Sequence, residues 1–180
     1  PRRRLATGLE VSRLAVGLWQ VADLEREGGP GIDHAAAIRA LAAYRDAGIT
    51  TCDMADHYGS AEELVGSLAS GPPGAAPTEA LTKWVPKPGP ESASEAAVDA
   101  AVRLSLARLR LPRIPLLQFH TWDYLDGPGA WLDQLKMLQS HALVEHVGLT
   151  NVDAAHLRLA LAEGISVASD QVSFSLIDRR

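Results

Sequence analysis

The 180-residue sequence is poor in several of the features that would fix its class at once. It has one cysteine, Cys52, so no disulfide framework can form within the chain, and a lone thiol fits a reducing compartment. No apolar run approaches the ~18 residues of a membrane span, and no apolar segment of roughly 7–15 residues follows the N-terminal arginines as in a secretory leader. Positive charge is in the minority: 17 basic residues against 22 acidic ones leave a net charge of -5. That balance argues against nucleic acid and anionic membrane as partners. The one basic cluster, Arg2, Arg3 and Arg4, reads as solvated side chains of a frayed terminus. Neither phosphate-cradling glycine motif, G-x-G-x-x-G or G-x-x-x-x-G-K-[ST], follows any strand. What is there is ordinary globular composition, 47% hydrophobic and 22% charged, which excludes a disordered tail or a fibre. The expectation is a cytoplasmic, water-soluble domain over residues 1–180.

Short apolar runs alternate with helical patterns along the whole chain. Residues 3–13 suggest a hairpin turned at Thr7-Gly8. Strands are expected at Leu14–Trp19, Ile49–Asp53, Ala80–Lys83, Ile114–His120, Val144–Thr150 and Ile165–Val172. Between them Asp33 can cap a helix through Ile38, Leu41, Ala42 and Arg45, and Gly48 can end it. Ser60-Ala-Glu-Glu63 and Ser92-x-x-Glu95 have the form of capping boxes. Leu64, Val65 and Leu68 form the buried stripe of the first of these helices, and Val98, Val102, Leu106 and Leu109 that of the second. Trp131, Leu135 and Leu138 mark another helix, and Asp153 caps the last, through Leu157 and Leu161 to Gly164. Strictly alternating strands and helices imply parallel strands with helical crossovers.

That order suits an open doubly wound sheet or a closed barrel. Asp53, Lys83, His120 and Asn151 stand at or just past the C-terminal ends of successive strands, where barrel enzymes assemble their sites, and this favours the barrel. At about 30 residues per unit, eight units need roughly 250 residues. The expectation is therefore an α/β fold, a (β/α)8 barrel present as about six of its eight strands, with an N-terminal hairpin.

On one rim of such a barrel a carboxylate (Asp53), a phenol (Tyr58), an amine (Lys83) and an imidazole (His120) converge. A free phenol, with pKa about 10, is a poor acid at neutral pH. A neighbouring ammonium favours the phenolate and pulls that value down, while a carboxylate keeps the ammonium charged and fixed. The set suits protonation of a developing alkoxide as hydride, supplied by a cofactor, adds to an aldehyde or ketone. Asp53, Asp56, His57 and His120 form an alternative, a metal cluster like those of metal-dependent barrel hydrolases, although the early H-x-H of such proteins is missing. His34, His141, His146 and His156 read as surface residues, and Cys52 as a small apolar side chain.

The chain resembles the aldo-keto reductases. The similarity is carried by Gly8-Leu-Glu-Val-Ser12, Val16-Gly-Leu-Trp-Gln20 and above all Ala47-Gly-Ile-Thr-Thr-Cys-Asp-Met-Ala-Asp-His-Tyr-Gly59. It continues through Glu62-Glu-Leu-Val-Gly66, Leu81-Thr-Lys83, Leu116-Leu-Gln-Phe-His120, His146-Val-Gly-Leu-Thr-Asn151 and Gln171-Val-Ser-Phe-Ser-Leu-Ile-Asp-Arg179. The resemblance implies a catalytic tetrad of Asp53, Tyr58, Lys83 and His120, with Tyr58 as proton donor. It implies that Thr150, Asn151 and Gln171 hold a nicotinamide carboxamide, that Gly17 lines the site, and that Trp19, Trp84 and Trp122 wall a pocket for a small carbonyl substrate. NADPH is the implied cofactor, with NADH not excluded, and no metal is implied. The family's last two strands and its phosphate-binding residues are expected beyond Arg180, so that cofactor binding by residues 1–180 alone is expected to be weak. Two other functions compatible with the sequence are a nucleotide-binding regulatory or scaffold protein of the same fold, and an interaction module.

Overall fold

The first residues pair as an antiparallel hairpin, β1 (Arg2–Ala6) with β2 (Leu9–Ser12). Its turn falls at Thr7-Gly8, and Gly8 takes a φ of 80° there, a conformation glycine adopts without steric cost. The computed structural model describes residues 1–70, 77–87, 94–121 and 128–177. Six further strands follow: β3 (Ala15–Gly17), β4 (Thr51–Asp53), β5 (Glu79–Trp84), β6 (Leu116–Phe119), β7 (Val147–Thr150) and β8 (Val167–Gln171). All pair in parallel, in the order β3-β4-β5-β6-β7-β8. A doubly wound sheet reverses its strand order partway, and this one never does. The six strands form the arc of a partial (β/α)8 barrel.

The helices are α1 (Trp19–Glu25), α2 (His34–Asp46), α3 (Ala61–Ala69), α4 (Glu95–Leu109), α5 (Pro128–Ser140) and α6 (Ala154–Ala162). Two apolar layers join them to the sheet. In one, Leu117, Phe119, Val147 and Leu149 of β6 and β7 pack with Val98, Val102 and Leu106 of α4 and Leu135 and Leu138 of α5. In the other, Cys52, Met54 and Ala80 pack with Leu41 of α2 and Leu64, Val65 and Leu68 of α3. Burying each of these large side chains contributes about 1.5–3 kcal/mol against exposure. Cys52 behaves as a small apolar group: burial pushes its thiol up to about 12, so the reactive thiolate does not form near neutral pH. Helices α3 and α4 cross so closely that a Cβ on Gly66 would stand 2.2 Å from the Arg108 carbonyl oxygen. No helix among the described residues is long and apolar enough to cross a membrane.

The hairpin and the polar residues occupy opposite ends of the strands. Leu9 and Val11 of β2 bury against Leu81 and Leu116, and Arg2 reaches Thr50 (3.0 Å) and Glu79 (2.8 Å), all at or near the N-terminal ends of β4, β5 and β6. The C-terminal ends stay open for chemistry.

Several elements differ in detail from the sequence expectation. The first core strand stops at Gly17, and Trp19 opens a short helix instead of ending the strand. Leu18 ties to Asp53 through its N–H, but its side chain offers no cap, so the local sequence carries no start signal for α1. The later strands are shorter at their N-terminal ends than the apolar runs that announce them: Ile114 makes one isolated bridge with Val144 before β6 and β7 begin. Asp33 and Asp153 cap α2 and α6 as expected, each accepting from backbone N–H groups in the first turn. Helix α4 is capped by Ser94, which accepts from Ala97 N, and Ser92 lies outside the described residues. Ser60 sits at the N-cap of α3 without making a cap bond, because its hydroxyl is taken by Glu25.

Candidate active site

Parallel strands end at one rim, and period-2 alternation decides which side chains face inward there. Asp53 ends β4, Lys83 is the penultimate residue of β5, His120 directly follows β6, Thr150 ends β7 and Gln171 ends β8. Tyr58 comes from the loop between β4 and α3. That loop continues beside β5, with Met54 N donating to Leu81 O and Asp56 N to Lys83 O, both at 2.9 Å. A second support comes from Arg108 of α4, which donates to Asp56 O at 2.8 Å and to the Glu62 carboxylate at 3.2 Å. Glu62 itself is buried and accepts from Thr82 Oγ1 at 2.7 Å.

Asp53, Tyr58, Lys83, His120, Thr150 and Gln171 line a cavity of about 310 Å³. In it Lys83 Nζ donates to Asp53 Oδ1 at 2.7 Å and to Met54 O at 3.1 Å, and lies 5.3 Å from the centre of the Tyr58 ring. Asp53 also accepts from Gln171 Nε2 (3.1 Å) and Gln118 Nε2 (3.4 Å). His120 Nδ1 shares a hydrogen bond with Thr150 Oγ1. Asn151, in the left-handed region at φ 52°, donates its N–H to Gln171 O (2.8 Å) and accepts from Ser173 N (2.9 Å) through Oδ1. Trp19 meets the Tyr58 ring edge-on at 5.1 Å, and His57 does so at 4.8 Å.

The electrostatics depart from the simplest expectation in one respect. The Tyr58 phenol lies above its ordinary value rather than below it: half-burial comes first, then repulsion of the phenolate by Asp53 and Asp56. Lys83 spends its charge on Asp53 at hydrogen-bond range and stands farther from the phenol ring, so its pull on the phenolate is largely offset. His120 is shifted down, chiefly by burial and then by the neighbouring His57 and Lys83, which keeps its imidazole neutral near pH 7.

Of the residues singled out in the sequence, Asp53, Tyr58, Lys83, His120, Thr150, Asn151, Gln171 and Trp19 all line this cavity. Trp84 does not. It is 6% exposed and packs edge-on against Phe119 at 5.9 Å, because alternation along β5 turns residue 84 outward when Lys83 turns inward. Gly17 pairs with Asp53 at the end of β3 but is not part of the cavity lining, and Trp122 lies outside the described residues. Val172 and Ser173 line the cavity although no pocket role was expected of them, and His57, expected there only as part of the alternative metal cluster, lines it as well. Position is the signal that marks them: one precedes Tyr58, the others follow Gln171. His57 Nδ1 bonds Asp56 Oδ1 at 2.9 Å while Asp53 bonds Lys83, and no group of three His, Cys, Asp or Glu residues among those described could hold a metal ion. Of the other histidines, His34 is exposed, whereas His141, His146 and His156 are half-buried.

A sequence model of the Aldo/keto reductase family matches residues 13–180. The chain is 30% identical to an uncharacterized oxidoreductase of Mycobacterium tuberculosis over 170 positions, covering 93% of this chain and 51% of that protein. It is 30% identical to the 6-dehydroglucose reductase of Novosphingobium aromaticivorans over 185 positions, covering 96% of this chain and 59% of that one. The holo form of aldo-keto reductase AKR11C1 from Bacillus halodurans superposes with a TM-score of 0.77 at 24% identity, over 99% of this chain and 59% of that chain. The chain thus spans between half and three-fifths of the length of these relatives. With its family match running through every strand of the arc and every residue around the cavity, this chain belongs to the aldo/keto reductase family.

Proposed function

We propose that the protein reduces an aldehyde or ketone to the alcohol, with hydride from NADPH or NADH and the proton from Tyr58. The observation that carries this reading is the convergence of Tyr58, the Asp53–Lys83 pair and His120 on one cavity. Tyr58 is protonated at neutral pH, as a donor must be, and the part of the Lys83 charge not offset by Asp53 is the nearby positive field for the phenolate left after transfer. His120, neutral and anchored at Nδ1 by Thr150, orients the carbonyl.

The residues present suit a nicotinamide. Asn151 commits Oδ1 to Ser173 and leaves its Nδ2 amide as a donor, while Gln171 commits Nε2 to Asp53 and leaves Oε1 as an acceptor. That donor and acceptor complement the C=O and NH2 of a carboxamide. When bound, the nicotinamide supplies the hydride. The Thr150 hydroxyl, which faces His120, serves the imidazole first. Sugar-derived carbonyl compounds are the first substrates to assay, given the likeness to a 6-dehydroglucose reductase. A cytoplasmic location accords with the single buried thiol.

Tyr58→Phe tests the reading, because it keeps the ring against Trp19 and removes the donor. In a protein that also carries the strands expected beyond Arg180, carbonyl reduction is expected to fall by roughly 10²–10⁴, with NADPH affinity by fluorescence titration unchanged. Turnover near the wild-type level in this variant would refute Tyr58 as the acid.

A further inference from the structure

Helix α1 grips the segment that carries Tyr58 at both of its ends, from the cavity wall at Trp19 and from outside the cavity at Glu25. At its start, the Trp19 ring meets Tyr58 edge-on at 5.1 Å. At its last residue, Glu25 turns its carboxylate onto Ser60: Oε1 accepts from Ser60 Oγ at 2.6 Å and Oε2 from Ser60 N at 2.7 Å. Between these two points lies Gly59, with φ 53°, where a Cβ would stand 2.3 Å from Glu25 Oε2. Glycine thus supplies both the left-handed turn and the space into which the carboxylate fits. The Glu25 side chain is 22% exposed, so its bonds to Ser60 are partly shielded from water and charge-assisted.

His34, the first residue of α2, closes the cluster, with Nε2 at 3.2 Å from both Glu25 Oε1 and Ser60 Oγ. Serine, histidine and glutamate so close together invite comparison with a nucleophilic triad, but the wiring differs. A triad places the serine on one imidazole nitrogen and the acid on the other. Here the same nitrogen faces both, and the serine hydroxyl donates directly to the carboxylate. The arrangement is suited to holding a backbone and not to activating a hydroxyl.

We propose that Glu25 is a positioning residue for Tyr58, fixing through Ser60 and Gly59 where the phenol stands relative to Trp19 and the cavity. The proposal rests on Tyr58 being the proton donor. The hydrogen bonds of Glu25 go to Ser60 and His34, so its effect on the reaction passes through the backbone of residues 58–60. A displacement of about 1 Å at a reacting group can cost on the order of 10²-fold in rate.

The test uses a protein that also carries the strands expected beyond Arg180, with Glu25→Gln, Ser60→Ala, Gly59→Ala and the pair Glu25→Ala/Gly59→Ala. Three quantities are read: kcat and KM for carbonyl reduction, NADPH affinity, and the Trp19 indole N–H resonance, assigned by its loss in Trp19→Phe. Glu25→Gln is expected to lower kcat roughly ten- to hundredfold, shift the Trp19 resonance and leave NADPH affinity as it was. Gly59→Ala does the same, and adding Glu25→Ala to it costs less than the two effects combined, because the added Cβ no longer meets a carboxylate. An unmoved Trp19 resonance with unchanged kcat in Glu25→Gln, or strict additivity in the pair, overturns the proposal. Should Glu25→Gln fail to fold, Ser60→Ala removes one of the two bonds and nothing from the core, and the Trp19 resonance reads it in the same way. If Tyr58→Phe retains turnover, the donor assignment falls, yet the resonance still reports whether Glu25 holds the segment, since the ring at position 58 remains.

Discussion

Replacing Lys83 with methionine keeps most of the side chain's length and removes its charge from a place where that charge has a partner and little water. The Lys83 and Asp53 side chains are 5% and 17% exposed, and their 2.7 Å contact leaves Asp53 dependent on the ammonium for compensation. Breaking a buried pair from one side costs about 3–5 kcal/mol, because the remaining carboxylate keeps its desolvation penalty. Two amides, Gln171 at 3.1 Å and Gln118 at 3.4 Å, still donate to Asp53. The loss therefore belongs at the lower end, about 3 kcal/mol. In a chain of this size each kcal/mol moves Tm by about 2–4 °C, so Lys83→Met should melt about 6–12 °C lower. Urea titration followed by circular dichroism measures the loss directly. Adding Asp53→Asn removes the orphaned charge, and the double variant should recover about 1–2 kcal/mol relative to Lys83→Met alone. A loss below about 1 kcal/mol in Lys83→Met, the range of exposed pairs, would refute the reasoning, as would additive behaviour of the two substitutions.

Two further outcomes follow, one from the cavity and one from the crossing of α3 and α4. The Tyr58 phenol is held above its ordinary 10.0 by burial and by Asp53 and Asp56, so its phenolate absorbance, isolated as the difference between wild type and Tyr58→Phe, should appear only above pH 10. Because the folded value is raised, the contribution of Tyr58 to stability is complete below pH 10 and is lost as pH rises through the folded value. Gly66→Ala drives a Cβ toward backbone atoms of α4, at 2.2 Å from the Arg108 carbonyl oxygen, and should cost about 1–3 kcal/mol by thermal melting.

The parts of the fold that sequence reveals are those set by local pattern. The Thr7-Gly8 turn, the Asp33 and Asp153 caps and the apolar stripes of α3, α4 and α5 all depend on neighbours a few residues away, and each reads correctly. Position along a strand also places Asp53, Lys83 and His120 at one rim without knowledge of the packing. What local pattern misses is decided by distant partners. Ser60 has the form of a capping serine, yet a carboxylate 35 positions earlier takes its hydroxyl. Helix α1 buries only Val21 and has no side-chain cap, so nothing in its own residues distinguishes it from the end of a strand. Trp84 illustrates another limit: a large aromatic beside a catalytic candidate suggests a pocket wall, but adjacent residues of a strand face opposite sides.

The chain-order arrangement of the strands bears on how the molecule is made as well as on what it holds. Partners in neighbouring strands of the six-stranded parallel sheet are separated by between 20 residues (Val147 and Val167) and 36 residues (Ala15 and Thr51). Each of these strands emerging from the ribosome therefore meets an edge completed just before it, and among the described residues none of the parallel pairings has to wait for a distant part of the polypeptide. Short loops to close favour fast assembly and limit the time for which apolar edges stand open to other nascent chains. Slow synonymous codons placed between successive strand-helix units should matter little to the folded yield, whereas in a sheet whose order reverses the same pauses would leave early strands waiting without partners.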